Sequence, residues 1–240
     1  MISTKQQDGV INIKRHGITG IIEKIENGKI KGVIFDLDGT LVDSMGVWDK
    51  VDEEFLGMKG IEVPCGLGDE IKNMTFREAA IYFKERFGIK DDVEDIMQEW
   101  NDMGYYEYAH NVQLKPGVRE FLHFLKGKGI KIGIATTNYI KLVEAVLKNN
   151  GVLEFFNAIS TANEVEKGKE HPDIYLLTAR KLGLEPEECV VFEDILPAVR
   201  GAKAAGMKVI GVYDKYSRHE AEEIKKMADG YISGFETILP

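Results

Sequence analysis

The chain has 240 residues, a formal net charge of −9, 44% hydrophobic residues and 30% charged residues. That composition suits one large domain, or a core with a smaller insertion, and an acidic chain argues against nucleic acid as a partner, because phosphate backbones attract basic faces. The longest apolar runs, such as Val33–Phe35 and Val190–Phe192, are far too short to span a bilayer, so no membrane partner is expected.

The opening stretch MISTKQQDGVINIKR has no uninterrupted apolar core and no small-residue cleavage site, so no signal peptide is read there. Cys65 and Cys189 are the only cysteines, a usage that fits a reducing cytoplasm better than a disulfide scaffold. Residues 1–31 form an N-terminal extension. Within it, Asn27-Gly28 stands between alternating apolar and charged residues and reads as the turn of a short β-hairpin, with an unstructured tail as the alternative.

GVIFDLD reads as the first strand. From Val47 to Asn111 only amphipathic helical patterns follow. EVPCGLGD (Glu62–Asp69) reads as a loop between two helices, TFREAAIYFKERFG as a helix with Thr75 as N-cap, and DDVEDIMQEWNDMGYYEYAH as a long helix opened by Asp91 or Asp92. Strands and helices then alternate: helix KPGVREFLHFLKGKG, strand KIGIATT, helix YIKLVEAVLKNNG, short strand NAIS, helix PDIYLLTARKLG, strand CVVFED, helix PAVRGAKAAG, strand MKVIGVY, helix HEAEEIKKMADG and short strand GYIS. This alternation predicts an α/β fold, a doubly wound, Rossmann-like parallel sheet, with its strand C-terminal ends on one edge. The expected division is a core of residues 32–46 and 113–240, with an inserted helical cap domain of residues 47–112.

Chemistry concentrates at those strand ends. The first strand breaks into Asp36 and Asp38, followed by Gly39 and Thr40. Two carboxylates so close repel each other unless a cation lies between them, and then one can stay ionised as a nucleophile while the other carries a proton. Gly39 permits a tight turn whose N–H groups favour phosphate oxygens. A calcium loop fits poorly, because the glycine comes too early and a buried strand precedes the motif. The next strand ends on Thr136, followed by Thr137 and Asn138. Lys169 stands in a loop before a helix, and another strand ends on Glu193 and Asp194. Oxygen-only ligands point to magnesium rather than zinc.

In this order, Asp36-Leu37-Asp38-Gly39-Thr40, Thr136, Lys169 in GKEHPD and Glu193-Asp194 resemble the four motifs of the haloacid dehalogenase-like hydrolases, over roughly Gly32 to the C-terminus. The helical insertion looks like the family's type-1 cap, as in phosphoglycolate phosphatases and β-phosphoglucomutases. The resemblance implies that Asp36 attacks phosphorus, that Asp38 protonates the leaving alcohol and later activates water, that Thr136 binds the phosphoryl group, and that Lys169 pairs with Asp36. It implies a Mg2+ held by Asp36, Asp194 and the carbonyl of Asp38, with Glu193 a further ligand or neighbour. Gly39, Thr40, Thr137 and Asn138 are expected at the substrate, with Lys72 and Arg77 of the cap contacting a second anionic or sugar group.

Asp38 argues against the dehalogenase and phosphonatase branches, which lack a second aspartate there. Mutases of the family carry a histidine twelve residues after the nucleophile, where this chain has Trp48. The chain departs from the family at Ile195 and Ala198, where serine and glycine are usual, and at Glu170-His171, where proline and a small residue are usual. His171, beside Pro172 at a helix start, reads as structural. The expectation is a cytoplasmic phosphatase acting on a small phosphorylated metabolite as a monomer or homodimer. A mutase and a non-catalytic phospho-ligand binding protein are the alternatives.

Overall fold

The structure is a computed structural model that describes residues 19–71, 74 and 76–238. It divides into two compact units: one takes in Asp43 and the residues before it together with Gln113 and those after it, and the other is Ser44–Val112.

The first unit is built on six parallel strands: β1 (Gly32–Phe35), β2 (Lys131–Thr136), β3 (Ala158–Thr161), β4 (Cys189–Glu193), β5 (Lys208–Val212) and β6 (Gly230–Ile232), in the order β3-β2-β1-β4-β5-β6. The chain winds from β1 outward to β3, returns past β1 and winds the other way, which is the doubly wound arrangement the alternating pattern predicts. Side chains along a strand alternate between faces, so both faces of this sheet need cover. On one face Ile34, Val191 and Val209 pack with Ile174, Tyr175, Leu182 and Val199 from the helices Asp173–Leu182 and Leu196–Ala204. On the other, Phe35 stacks on Phe192 at 5.2 Å between ring centroids, and Phe121 and Phe235 close over them. Each such buried ring contributes about 1.5–3 kcal/mol of burial.

The helical unit contains the helices Val47–Met58, Leu67–Ile71, Phe76–Phe87 and Val93–His110. Trp100 is its hub, edge-on to Phe55, Phe76 and Phe83 at 4.8–5.5 Å. The stretch read as a loop at Glu62–Asp69 is partly helical, because Leu67–Ile71 forms a short helix that buries Leu67. Thr75, expected as an N-cap, lies outside the described residues.

The β-hairpin expected around Asn27-Gly28 is corrected. Residues 19–26 are helical, and Asn27-Gly28 ends that helix. The N–H groups of Lys29 and Ile30 both donate to the Lys24 carbonyl, at 2.9 and 3.0 Å, while Gly28 adopts φ +74°. A left-handed glycine serves a helix terminus as well as a hairpin turn. The deciding signal is Ile21 and Ile25, both buried and four residues apart, which is helix spacing. Among the described residues no helix is long and apolar enough to cross a membrane.

Candidate active site

β1 and β4 are neighbours with Phe35 opposite Phe192, so Asp36, one residue past β1, falls beside Glu193. The Asp36 N–H donates to the Phe192 carbonyl at 3.0 Å. The winding reverses between these two strands, and in open α/β sheets a crevice at the strand C-terminal ends opens at such a reversal. Here it is lined with charge. Lys169 Nζ lies 2.6 Å from Asp36 Oδ1 and also pairs with Glu193. Asp36, Glu193 and Asp194 are all buried, and each offers a carboxylate oxygen within 4.8 Å of the others.

Electrostatics follow from that crowding. Burial pulls the Lys169 ammonium down, but the Asp36 and Glu193 carboxylates outweigh it and hold its pKa above the ordinary lysine value. Burial pushes the Glu193 carboxyl up to about 7, with Lys169 opposing and Asp36 adding to the rise. Asp194 stands well above the ordinary aspartate value because it is buried and because Asp36 and Glu193 are near. One lysine faces three carboxylates, so a cation fits the charge balance. The donors are all hard oxygens, which suits a divalent ion of the magnesium or calcium kind. The acidic cluster therefore fits a divalent metal.

Neighbouring residues hold this set in place. Thr40, assigned by sequence to the substrate, donates its hydroxyl to Asp194 Oδ1 at 3.1 Å. Gly39 adopts φ +84°, and a Cβ there would overlap the Asp194 carboxylate. Its N–H donates to the Val42 carbonyl at 3.1 Å. Asn138 donates its amide to Asp38 Oδ2 at 3.0 Å, and its N–H reaches Thr136 Oγ1 at 3.0 Å. Thr136 is buried at the end of β2, and Thr137 is exposed on the loop beyond. Arg77 is in the helical unit, exposed and paired with Glu94 at 2.8 Å. Lys72 lies outside the described residues. His171 is exposed, with Nε2 at 3.9 Å from Glu170. A groove of about 550 Å³ in the helical unit, lined by residues such as Glu54, Met58, Asp102 and Tyr106, shares no residue with the carboxylate cluster.

Four residues of the site escape a reading of sequence alone. Tyr175 donates its hydroxyl to Glu193 Oε1 at 2.9 Å. Gly201 lets the helix Leu196–Ala204 press against the Lys169 loop, since a Cβ there would overlap the carbonyls of Lys169 and His171. Lys115 and Asp214 form an ion pair at 2.8 Å beside Gly39. Only Tyr175 carries a local signal, because a tyrosine in a buried run needs a partner for its hydroxyl.

Comparisons with known proteins show the family. A family model described as haloacid dehalogenase-like hydrolase matches residues 30–206. The chain belongs to that family, and it is a hydrolase of that kind. The Phosphorylated carbohydrates phosphatase of Thermotoga maritima is 30% identical over 181 residues, covering 75% of this chain and 84% of that protein. Hexitol phosphatase B of Escherichia coli K12 is 30% identical over 196 residues, covering 77% and 84%. Among solved structures, CbbY from Rhodobacter sphaeroides in complex with phosphate is 28% identical with a TM-score of 0.70, covering 86% of this chain and 95% of that one.

Proposed function

We propose that the chain is a magnesium-dependent phosphatase that hydrolyses a small phosphorylated metabolite, a sugar or sugar-alcohol phosphate, through an aspartyl-phosphate on Asp36. The observation that carries the reading is the Lys169–Asp36 pair at 2.6 Å, buried beside Asp194 at the switch point of the sheet. The names of the relatives, which concern phosphorylated carbohydrates and hexitols, support the substrate class.

Lys169 holds one Asp36 oxygen, Oδ1, and leaves the other for attack on phosphorus. Asp38, two residues on, gives a proton to the departing alkoxide and then takes one from the water that cleaves the acyl phosphate. Thr136 and the loop after it hold phosphoryl oxygens. Magnesium would be held by Asp36, Asp194 and the Asp38 carbonyl, with Glu193 close by, and would supply charge neutralisation on the equatorial oxygens. Phosphate monoesters are among the slowest substrates to react unaided, and enzymes accelerate them by up to ~10²¹-fold. Positioning and charge supply most of that. We assign the choice of leaving group, and the role of cap domain, to the helical Ser44–Val112 unit inserted directly after the nucleophile's strand. The free thiols Cys65 and Cys189 favour the cytoplasm as its place of action.

The test is phosphate release from sorbitol 6-phosphate, glucose 6-phosphate, glycerol 1-phosphate, phosphoglycolate and p-nitrophenyl phosphate, with magnesium and with a chelator, for the native chain and Asp36→Asn. Release that requires both the metal and Asp36 is the expected result. No release from any ester would sink the reading. Conversion of β-glucose 1-phosphate in a coupled assay would then favour the mutase, although Trp48, packed against Phe76 at 5.6 Å, stands where mutases carry their histidine.

A further inference from the structure

Lys115 and Asp214 are a partly buried ion pair that the reaction described above leaves without a task. Leu114 bridges to Val42, and the Lys115 N–H donates to the Leu41 carbonyl at 2.9 Å, so the backbone of this segment lies along the turn that follows Asp38. The Lys115 side chain is 14% exposed. Its ammonium donates to the Gly39 carbonyl, to the Tyr213 carbonyl at 3.1 Å and to Asp214 Oδ2 at 2.8 Å. An ammonium has three N–H donors. These acceptors use all three, so none is left for a substrate oxyanion.

The other end of the pair is fixed as well. Asp214 is 3% exposed, and its second oxygen accepts the Tyr216 N–H at 2.8 Å. The two peptide groups that flank the Gly39 Cα are therefore each held, the Asp38–Gly39 peptide by its N–H to Val42 and the Gly39–Thr40 peptide by its carbonyl to Lys115. The preceding residue is Asp38, whose carboxylate is held by Asn138. The Tyr139 N–H donates to Asn138 Oδ1 at 2.8 Å, which leaves the Asn138 NH₂ to face Asp38.

We propose that Lys115, held by Asp214, is a positioning residue for the acid–base step: by fixing the Gly39 carbonyl it sets where Asp38 meets the leaving oxygen. This inference rests on the assignment of Asp38 as the acid. Without the ammonium the turn loses its anchor, and a misplacement of about 1 Å in a reacting group costs on the order of 10²-fold.

Leaving-group dependence separates positioning from a merely structural role. An alkoxide needs a proton to depart, whereas p-nitrophenolate hardly does. The experiment measures kcat/KM, which reports the first transfer, on p-nitrophenyl phosphate and on whichever alkyl phosphate of the panel the native enzyme uses best. The variants are Asp38→Asn, Lys115→Met and Asp214→Asn. Asp38→Asn is expected to lose about 10²–10⁴-fold on the alkyl ester and far less on the aryl one. Lys115→Met is expected to lose about 10–100-fold on the alkyl ester and no more than about threefold on the aryl ester. Asp214→Asn keeps the volume and the acceptor for Tyr216, and is expected to show the same selectivity at smaller size, which covers the case of a Lys115 variant that does not fold. Equal losses on both esters in the Lys115 and Asp214 variants, with Asp38→Asn still selective, would overturn the positioning role alone. Equal losses in Asp38→Asn as well would overturn the acid–base assignment and this inference with it.

Discussion

The Tyr175 hydroxyl donates to Glu193 Oε1 at 2.9 Å in a pocket where both residues are fully buried. Glu193 in turn pairs with Lys169, and its other oxygen accepts the Asp194 N–H at 3.2 Å. A phenol from the helix Asp173–Leu182 thus fixes the carboxylate that faces Lys169. Tyr175→Phe keeps the ring and removes only this donor. The expected result is a loss of about 1–3 kcal/mol in denaturant unfolding, the cost of a buried acceptor left short of a partner, with a severalfold drop in turnover. Unchanged stability would mean that the hydroxyl contributes nothing to holding Glu193.

Lys169→Met leaves Asp36 and Glu193 buried without their cation. Breaking a buried pair in this way costs about 3–5 kcal/mol, and phosphate release should vanish. Lys169→Arg should not rescue turnover, because the lysine is only 5% exposed and a planar guanidinium presents its donors in a different geometry from a compact ammonium. Magnesium should still raise the melting temperature of Lys169→Met, since Asp36 and Asp194 remain. Differential scanning fluorimetry with and without the metal checks both statements.

Gly201 and Gly57 offer a matched contrast. At Gly201 a Cβ would collide with backbone carbonyls of the Lys169 loop, whereas at Gly57, inside the helix Val47–Met58, it would meet nothing within 4 Å. Gly201→Ala should cost about 1–3 kcal/mol of overpacking and should lower turnover further by shifting Lys169. Gly57→Ala should stabilise by about 0.5–1 kcal/mol and leave turnover alone. Equal behaviour of the two variants would show that the helix does not set the loop.

Asp52, on the helix Val47–Met58, gives a pH prediction. Burial, and then the charge of Asp49, push its carboxyl from 3.8 up to about 7. The folded chain holds this proton more tightly than the unfolded one. The associated stability is complete below 3.8 and is lost as pH rises through about 7. Asp52→Asn should therefore melt higher than the native chain at pH 8, with a gain that shrinks as pH falls from about 7 towards 4. A gain that is constant across that range would show that Asp52 does not titrate as described.

Strand ends made much of this site legible. Asp36, Thr136, Lys169 and Asp194 each follow or precede an apolar run with a clear period, and parallel pairing then brings the strand ends to one edge. What stayed hidden depends on contacts with no local trace. Lys115 meets Gly39 across 76 residues and Asp214 across 99, and nothing near Lys115 in the chain separates it from a solvated lysine. Gly201 reads as an ordinary small residue in a helix until the Lys169 loop is seen against it. Asn27-Gly28 misleads for a different reason: the same positive φ serves two kinds of turn, and only the spacing of Ile21 and Ile25 tells them apart. Thr40 sits in the expected place, yet its hydroxyl turns to Asp194.

The Asp43 N–H donates to the Gln113 carbonyl at 3.1 Å, so the two ends of the inserted unit meet. β1 and β2 pair with Gly32 opposite Lys131, across nearly a hundred residues of chain. Closing so long a loop as coil is entropically costly and slow. The insertion is compact through its own contacts, and once folded it brings Asp43 and Gln113 together and shortens the loop the sheet must close. The expected consequence is kinetic: a helical unit that forms early would act as a staple, so that the order of assembly follows from the place where the insertion interrupts the chain.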